Sequence, residues 1–136
     1  MITQKEIRLK KRSRGFHLIT SEILSSLPSL PKSGLLNLFL QHTSAGLTIN
    51  ENADPSVRID FETVFNKLIP ENDPDYFHVF EGDDDMPAHI KSSIIGISIT
   101  IPVENGRLAL GTWQGIYLAE FRNNASERRI LSTLYY

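Results

Sequence analysis

Apolar and polar positions alternate from the start of the chain. In ITQKEIRLKKRSRGFHLIT the alternation centres on Ile7 and Leu9 and breaks at Ser13 to Gly15, which predicts a hairpin. The basic run Lys10, Lys11, Arg12 and Arg14 falls in its turn and reads as a solvated tip. Thr20 or Ser21 can cap a short helix through Leu27, with Glu22 in its first turn and Pro28 and Pro31 ending it. Gly34 opens LLNLFL, a continuous apolar run of the kind found in buried strands. A polar loop from Gln41 to Gly46 carries His42, and a second short strand, Leu47 to Asn50, follows.

Asp54-Pro55 predicts a helix start, with an N-cap followed by proline at the first helical position. Val57, Phe61, Val64, Phe65 and Leu68 then form one apolar stripe at helical spacing, expected to face the core up to Ile69. Downstream, Ile95, Ile97, Ile99 and Ile101 alternate with small polar residues as a strand with one buried face. Asn105-Gly106 is a hairpin signal. Trp113 to Arg122 is apolar on both faces, which predicts a central strand or one covered by a partner subunit, with Trp113, Tyr117 and Phe121 as core or interface. RRILSTLYY is a further strand. The order ββαββααβββ implies a single α+β domain over residues 1–136, with a mixed or antiparallel sheet and about three helices.

Composition narrows the function classes. The net charge of −2 gives no general attraction to nucleic acid or to an anionic membrane. No apolar run has the length of a membrane span. The chain has no cysteine, which excludes disulfides, a thiolate nucleophile and a zinc finger. A cytoplasmic protein is expected.

The chemistry concentrates in FHVFEGDDDMPAH, residues 77 to 89. His78 and His89 bracket Glu81, Asp83, Asp84 and Asp85, with Asp75 just upstream. Gly82 permits a sharp turn. Asp85 is placed to cap a helix that begins at Met86-Pro87, and His89 follows about one turn later. The loop and helix start could therefore aim Asp85, His89 and His78 at a common point, and imidazole with carboxylate is a usual ligand set for a divalent metal. The plainer reading is a turn with an acidic rim, a capping aspartate and two incidental histidines.

HTSAGLTINENAD, DPSVRID, the HxxEGDDDMPAHIKSS stretch and NGRLALGTWQGIYLAEFR together resemble the YjbQ family, also named for secondary thiamine-phosphate synthase activity. The resemblance runs from about Phe16 to Arg122. It implies a compact α+β fold whose sheet curls towards a barrel, a homotrimer, and a pocket near the subunit boundaries. Carried onto this chain, the family's histidines are His42, His78 and His89, expected to hold a divalent metal, zinc by ligand type, with magnesium as the alternative. His17 reads as structural.

Around that centre, Glu51 is a candidate general base or else a surface ion pair, and Asp85 moves protons, caps its helix or orients a histidine. Thr43 and Ser44 offer hydroxyl and N–H groups to a phosphate or form a polar turn. Lys91 and Arg122 supply positive charge to an anionic substrate, or Arg122 belongs to a structural ion pair. The function implied is a metal-dependent enzyme acting on phosphorylated small molecules, in line with thiamine-phosphate synthesis, which joins a pyrimidine diphosphate to a thiazole phosphate and releases pyrophosphate. A metal-assisted hydrolase and a non-enzymatic trimer with a structural ion stand as alternatives.

Overall fold

The computed structural model describes residues 1–136. The elements run β1 (Ile2–Leu9), β2 (Gly15–Leu18), α1 (Thr20–Ser26), β3 (Ser33–Leu40), β4 (Ala45–Glu51), α2 (Pro55–Leu68), α3 (Asp85–Ile95), β5 (Ser98–Glu104), β6 (Arg107–Leu108), β7 (Gln114–Glu120) and β8 (Arg128–Tyr135). The α+β class, the three helices and the order are those expected, with the two-residue β6 as an addition. One sheet has the order β1-β8-β3-β5-β6 and the other β2-β7-β4. Every pair is antiparallel, and the sheets curl into a half-barrel. No helix is long and apolar enough to cross a membrane.

Side-chain alternation stacks the molecule in three layers. Ile7, Leu9, Leu36, Leu38, Leu40, Ile101 and Ile130 of the larger sheet meet Leu47, Ile116 and Leu118 of the smaller one, with Ile19 and Ile23 closing the end. On the opposite face of the smaller sheet, Phe16, Tyr117, Ala119 and Phe121 pack against Ala88, Phe61, Phe65 and Ile95 of the helices. The two-sided apolar character of β7 therefore has its cause within the chain: one face looks at the larger sheet and the other at α2 and α3. It needs no partner subunit, and Trp113 lies outside the strand and is exposed.

Several expectations change. The opening is not a hairpin: β1 pairs with β8 in one sheet and β2 with β7 in the other, so the 10–14 segment crosses between sheets. Its arginines are held rather than solvated, Arg12 by Glu22 and Arg14 by Glu62 and Glu71. Thr20 and Ser21 do not cap α1; the cap position is Ile19, and the Thr20 hydroxyl accepts from the N–H of Ile116 instead. Asp54 does cap α2, accepting from Ser56 N–H at 2.9 Å. The α2 stripe is only half core. Phe61 and Phe65 pack inward, while Val64 is exposed and Leu68 is 65% exposed, because α2 lies as an outer layer. The LLNLFL strand is buried on one face only, with Leu35 and Phe39 outside. Ile95 ends α3 rather than opening a strand.

These burials give a direct contrast. Leu38→Ala, at a fully buried site, should cost about 2–5 kcal/mol in chemical denaturation. Leu68→Ala should stay within about 0.5 kcal/mol. A large loss at Leu68 would show that α2 is covered by something other than this chain.

Candidate metal centre

The centre is built at the junction of α3, the acidic loop and the end of β7. Gly82 has φ +107°, and a Cβ there would stand 2.9 Å from Asp84 Oδ1, so the turn into α3 suits glycine. Asp85 is the first residue of α3, not its cap. The cap position is Asp84, whose side chain makes no capping bond. Asp84 Oδ2 instead accepts from Arg122 Nε at 2.9 Å and from the N–H of Asn123 at 2.8 Å. Arg122 also donates to Asp85 Oδ1, and at 2.9 Å to the carbonyl of Glu81. One guanidinium from the end of β7 thus ties down the loop and the start of α3.

Asp85 is 1% exposed. Burial pushes its carboxyl up, but the hydrogen bond from His78, with His89, Arg122 and Glu81, outweighs burial and holds it below the usual carboxylate range. Its Oδ2 lies 2.7 Å from His78 Nε2 and 3.1 Å from His89 Nε2. One ligand atom from each of His78, Asp85 and His89 lies within 4.8 Å of the others. The convergence expected from the loop is therefore present.

His89 carries the decisive detail. Its Nδ1 is 2.8 Å from the carbonyl oxygen of Thr43. A carbonyl only accepts, so Nδ1 bears the proton. In the neutral ring, Nε2 then presents a lone pair to a carboxylate oxygen, and two acceptors face each other. A cation between them relieves that repulsion, as does a second proton on the ring. A histidine with one nitrogen held by a backbone carbonyl and the other free for an ion is the usual arrangement in metal sites. The helix is brought to Thr43 by Gly46, where a Cβ would meet Ile95 Cγ2 at 2.7 Å. The donor set fits a divalent transition metal such as zinc better than magnesium, which prefers oxygen.

The other expected residues separate. His42 stands outside the three-atom cluster, because its Nε2 accepts from the N–H of Arg129 at 2.8 Å. It shares with His89 an open groove of about 580 Å³, lined also by Thr43, Ser92, Ser93, Gly96 and Ile97. Ser44 is committed to structure: its carbonyl and hydroxyl accept from Arg128 at 3.2 and 3.0 Å. Arg128 in turn forms a buried bidentate pair with Glu120 at 2.7 and 2.5 Å. Lys91 is 1% exposed, donates to Asn66 Oδ1 at 2.8 Å and lies over Phe121, so it does not face the histidines. Burial, with Arg14 beside it, pushes its ammonium below the ordinary value, against the pull of Glu62, Glu71 and Asp84. Arg122 is the structural ion pair rather than a free anion binder. Glu51 ends β4 at the far end from Ala45, roughly 20 Å along the strand, and cannot act as base at these histidines in the same chain.

Sequence reasoning missed Ser92 and Ser93 in the groove, although they follow His89 at helical spacing, three and four residues on. It also missed the Glu120–Arg128 pair, which no local pattern marks.

The model of the UPF0047 protein YjbQ-like family matches residues 5–135. The chain belongs to this family. It is 54% identical over 133 residues to the UPF0047 protein YjbQ of Escherichia coli O157:H7, covering 96% of each chain. It is 43% identical to the UPF0047 protein YugU of Bacillus subtilis, covering 89% of each. Among solved structures, a conserved hypothetical protein of Thermus thermophilus superposes with TM-score 0.81 at 34% identity, over 93% of this chain and 97% of that one. A protein of Sulfolobus solfataricus, described as of unknown function, shares the fold at TM-score 0.83 and 24% identity, over 98% and 96%.

His42 gives the pH-dependent prediction for this region. Burial, then Arg128 and Arg129, push its imidazole below the ordinary value, against a smaller opposing pull from Glu120. A depressed folded-state value means its contribution is present above the unfolded value near ~6.5 and is lost as pH falls through the folded one. The stability of the wild type should therefore decline as pH falls below about 6.5, and His42→Ala should flatten that decline. Equal slopes in the two proteins, measured by denaturant titration, would contradict it.

Proposed function

We propose that this chain is a metal-dependent enzyme acting on a phosphorylated small molecule, with the ion held by His78, Asp85 and His89. The observation that carries the reading is the His89 ring, its Nδ1 fixed on the Thr43 carbonyl and its Nε2 aimed at Asp85. His78 and His89 are partly open to solvent, which leaves room for substrate beside the three protein ligands. When bound, a divalent ion there supplies Lewis acidity and activates water. Thr43 and Ser93 place hydroxyl-bearing residues along the adjoining groove, while the buried Ser92 hydroxyl donates to the Ala45 carbonyl at 2.7 Å. Glu81, exposed and with Oε2 3.6 Å from His78 Nε2, is the nearby carboxylate free to move a proton. A homotrimer in the cytoplasm belongs to the same proposal.

Two reactions fit. The family resemblance supports joining a pyrimidine diphosphate to a thiazole phosphate with release of pyrophosphate. Hydrolysis of a phosphoester is favoured by a specific observation: Arg122 and Lys91 are committed inside the protein, so a departing diphosphate would meet few cationic side chains.

Elemental analysis of the purified protein should find about one transition metal per chain, with three protein ligands and an open position. His78→Ala, Asp85→Asn and His89→Ala should each lose it, while His42→Ala should keep it. Retention in both His78→Ala and His89→Ala would refute the site. Turnover of the two thiamine precursors, against hydrolysis of simple phosphoesters, separates the reactions. Loss of metal without loss of either activity would refute the metal-dependent reading.

A further inference from the structure

Like charges stand directly opposite one another at one place in the larger sheet. Arg8 of β1 is the register partner of Arg129 of β8. Both side chains therefore leave the same face of neighbouring strands, about 5 Å apart at the backbone. Both are exposed, and exposed Lys11 follows just past the end of β1. Like charges opposed across a strand pair cost stability. Little in the chain offsets them. Arg12, Arg14, Arg122 and Arg128 each have a carboxylate partner, but Arg129 and Lys11 take part in no ion pair. Arg8 has one exposed pair, with Glu6 at 2.9 Å. An open cavity of about 480 Å³ lies over the three cations, lined also by Ser126 and Glu127.

This basic row adjoins the candidate metal centre. His42 Nε2 accepts from the N–H of Arg129 at 2.8 Å, and the N–H of Gln41 donates to the Arg129 carbonyl at 3.0 Å. The loop after β3 thus holds both backbone groups of Arg129. Its guanidinium, after burial and Arg128, helps push the His42 imidazole below the ordinary value. The same imidazole lines the groove that His89 lines. One ring therefore borders the groove on one side and the basic row on the other.

We propose that Arg8, Lys11 and Arg129 bind a phosphate group of the substrate that does not itself react, while the reacting phosphate sits at the ion. The substrate class is then a small molecule with two phosphate groups, whose skeleton passes over His42. This rests on the reading of the centre as one that acts on phosphorylated molecules. Guanidinium forks from two adjacent strands present parallel N–H donors to the oxygens of one phosphate. The dianion also removes the repulsion between Arg8 and Arg129, so binding relieves a cost that the free protein carries. Glu127 repels an anion placed beside it, which steers the phosphate to the arginines and leaves the carboxylate to accept from a hydroxyl of the skeleton.

The test is binding of glycerol 3-phosphate to the intact chain, by calorimetric titration and thermal shift, against sodium chloride of equal ionic strength. The wild-type midpoint should rise with the phosphoester and not with chloride. Arg129→Gln and Arg8→Gln should each bind at least about tenfold more weakly. In chloride Arg129→Gln should melt no lower than the wild type, since it removes one of two opposed charges. Lys32→Gln, at the opposite end of β3, should bind as the wild type does. Unchanged binding in both arginine variants, or a wild type that responds equally to phosphoester and chloride, would overturn the proposal. A response to inorganic phosphate without one to glycerol 3-phosphate would mark an adventitious ion only, and would overturn it as well. His89→Ala should lose its metal and keep the phosphoester response. A wild type that holds no metal yet binds glycerol 3-phosphate through Arg129 would refute the centre and leave the basic row standing, so the two failures are distinguishable.

Discussion

The buried charge of Asp85 is the constraint around which this end of the molecule is arranged. A carboxylate shut away from water costs several kcal/mol unless its oxygens are matched. Here one oxygen takes Arg122 and the other faces two imidazoles. The same guanidinium must therefore stay where it is, and its remaining donors hold Asp84 and the Glu81 carbonyl. The path of the acidic loop, the turn at Gly82 and the place of His78 all follow from that one ionic knot. Three of its five N–H donors are engaged inside the protein in this way.

A second buried pair does for the neighbouring loop what Arg122 does for the acidic one. Glu120 and Arg128 join β7 to β8, and Arg128 reaches across to Ser44. That anchors the segment in which the Thr43 carbonyl meets His89 and His42 meets the backbone of β8. Gly46 lets α3 approach β4 closely enough for the first of these contacts. The geometry of a half-exposed imidazole thus depends on a buried ion pair two strands away.

The sequence made the elements legible because their periods are clean: β5 alternates, α2 carries a cap and proline, and Asn105-Gly106 has the positive φ angles of a tight hairpin turn. The convergence of His78, Asp85 and His89 was legible too, since a loop and one helical turn fix all three locally. What was not legible was pairing between distant segments. β1 looked like half of a hairpin, yet its partner is β8. The apolar faces of β7 left open a central strand or a covering subunit; β7 is the central strand of its sheet, and its second face is covered by α2 and α3. Lys91 looked like a free cation, and Arg122 stayed open between an anion binder and a structural ion pair, because a sequence does not show which acids or amides will stand opposite them. His42 was joined to the other histidines by resemblance, and its ring nitrogen is committed to β8 within the chain.

The strand order has a consequence for how the chain acquires its shape. Apart from the short β5–β6 hairpin, no strand pairs with its neighbour in sequence. Ile7 waits for Ile130, Phe16 for Ala119, and Leu47 for Leu118. At synthesis rates of about 5–20 residues per second, the first strands spend on the order of ten seconds outside the ribosome with open edges. Such non-local topology folds slowly, because loop closure precedes any reward from pairing. During that interval the sticky strand LLNLFL is a hazard rather than a core. The polar Asn37 at its middle interrupts that apolar run, a placement that disfavours edge-to-edge contact between nascent copies.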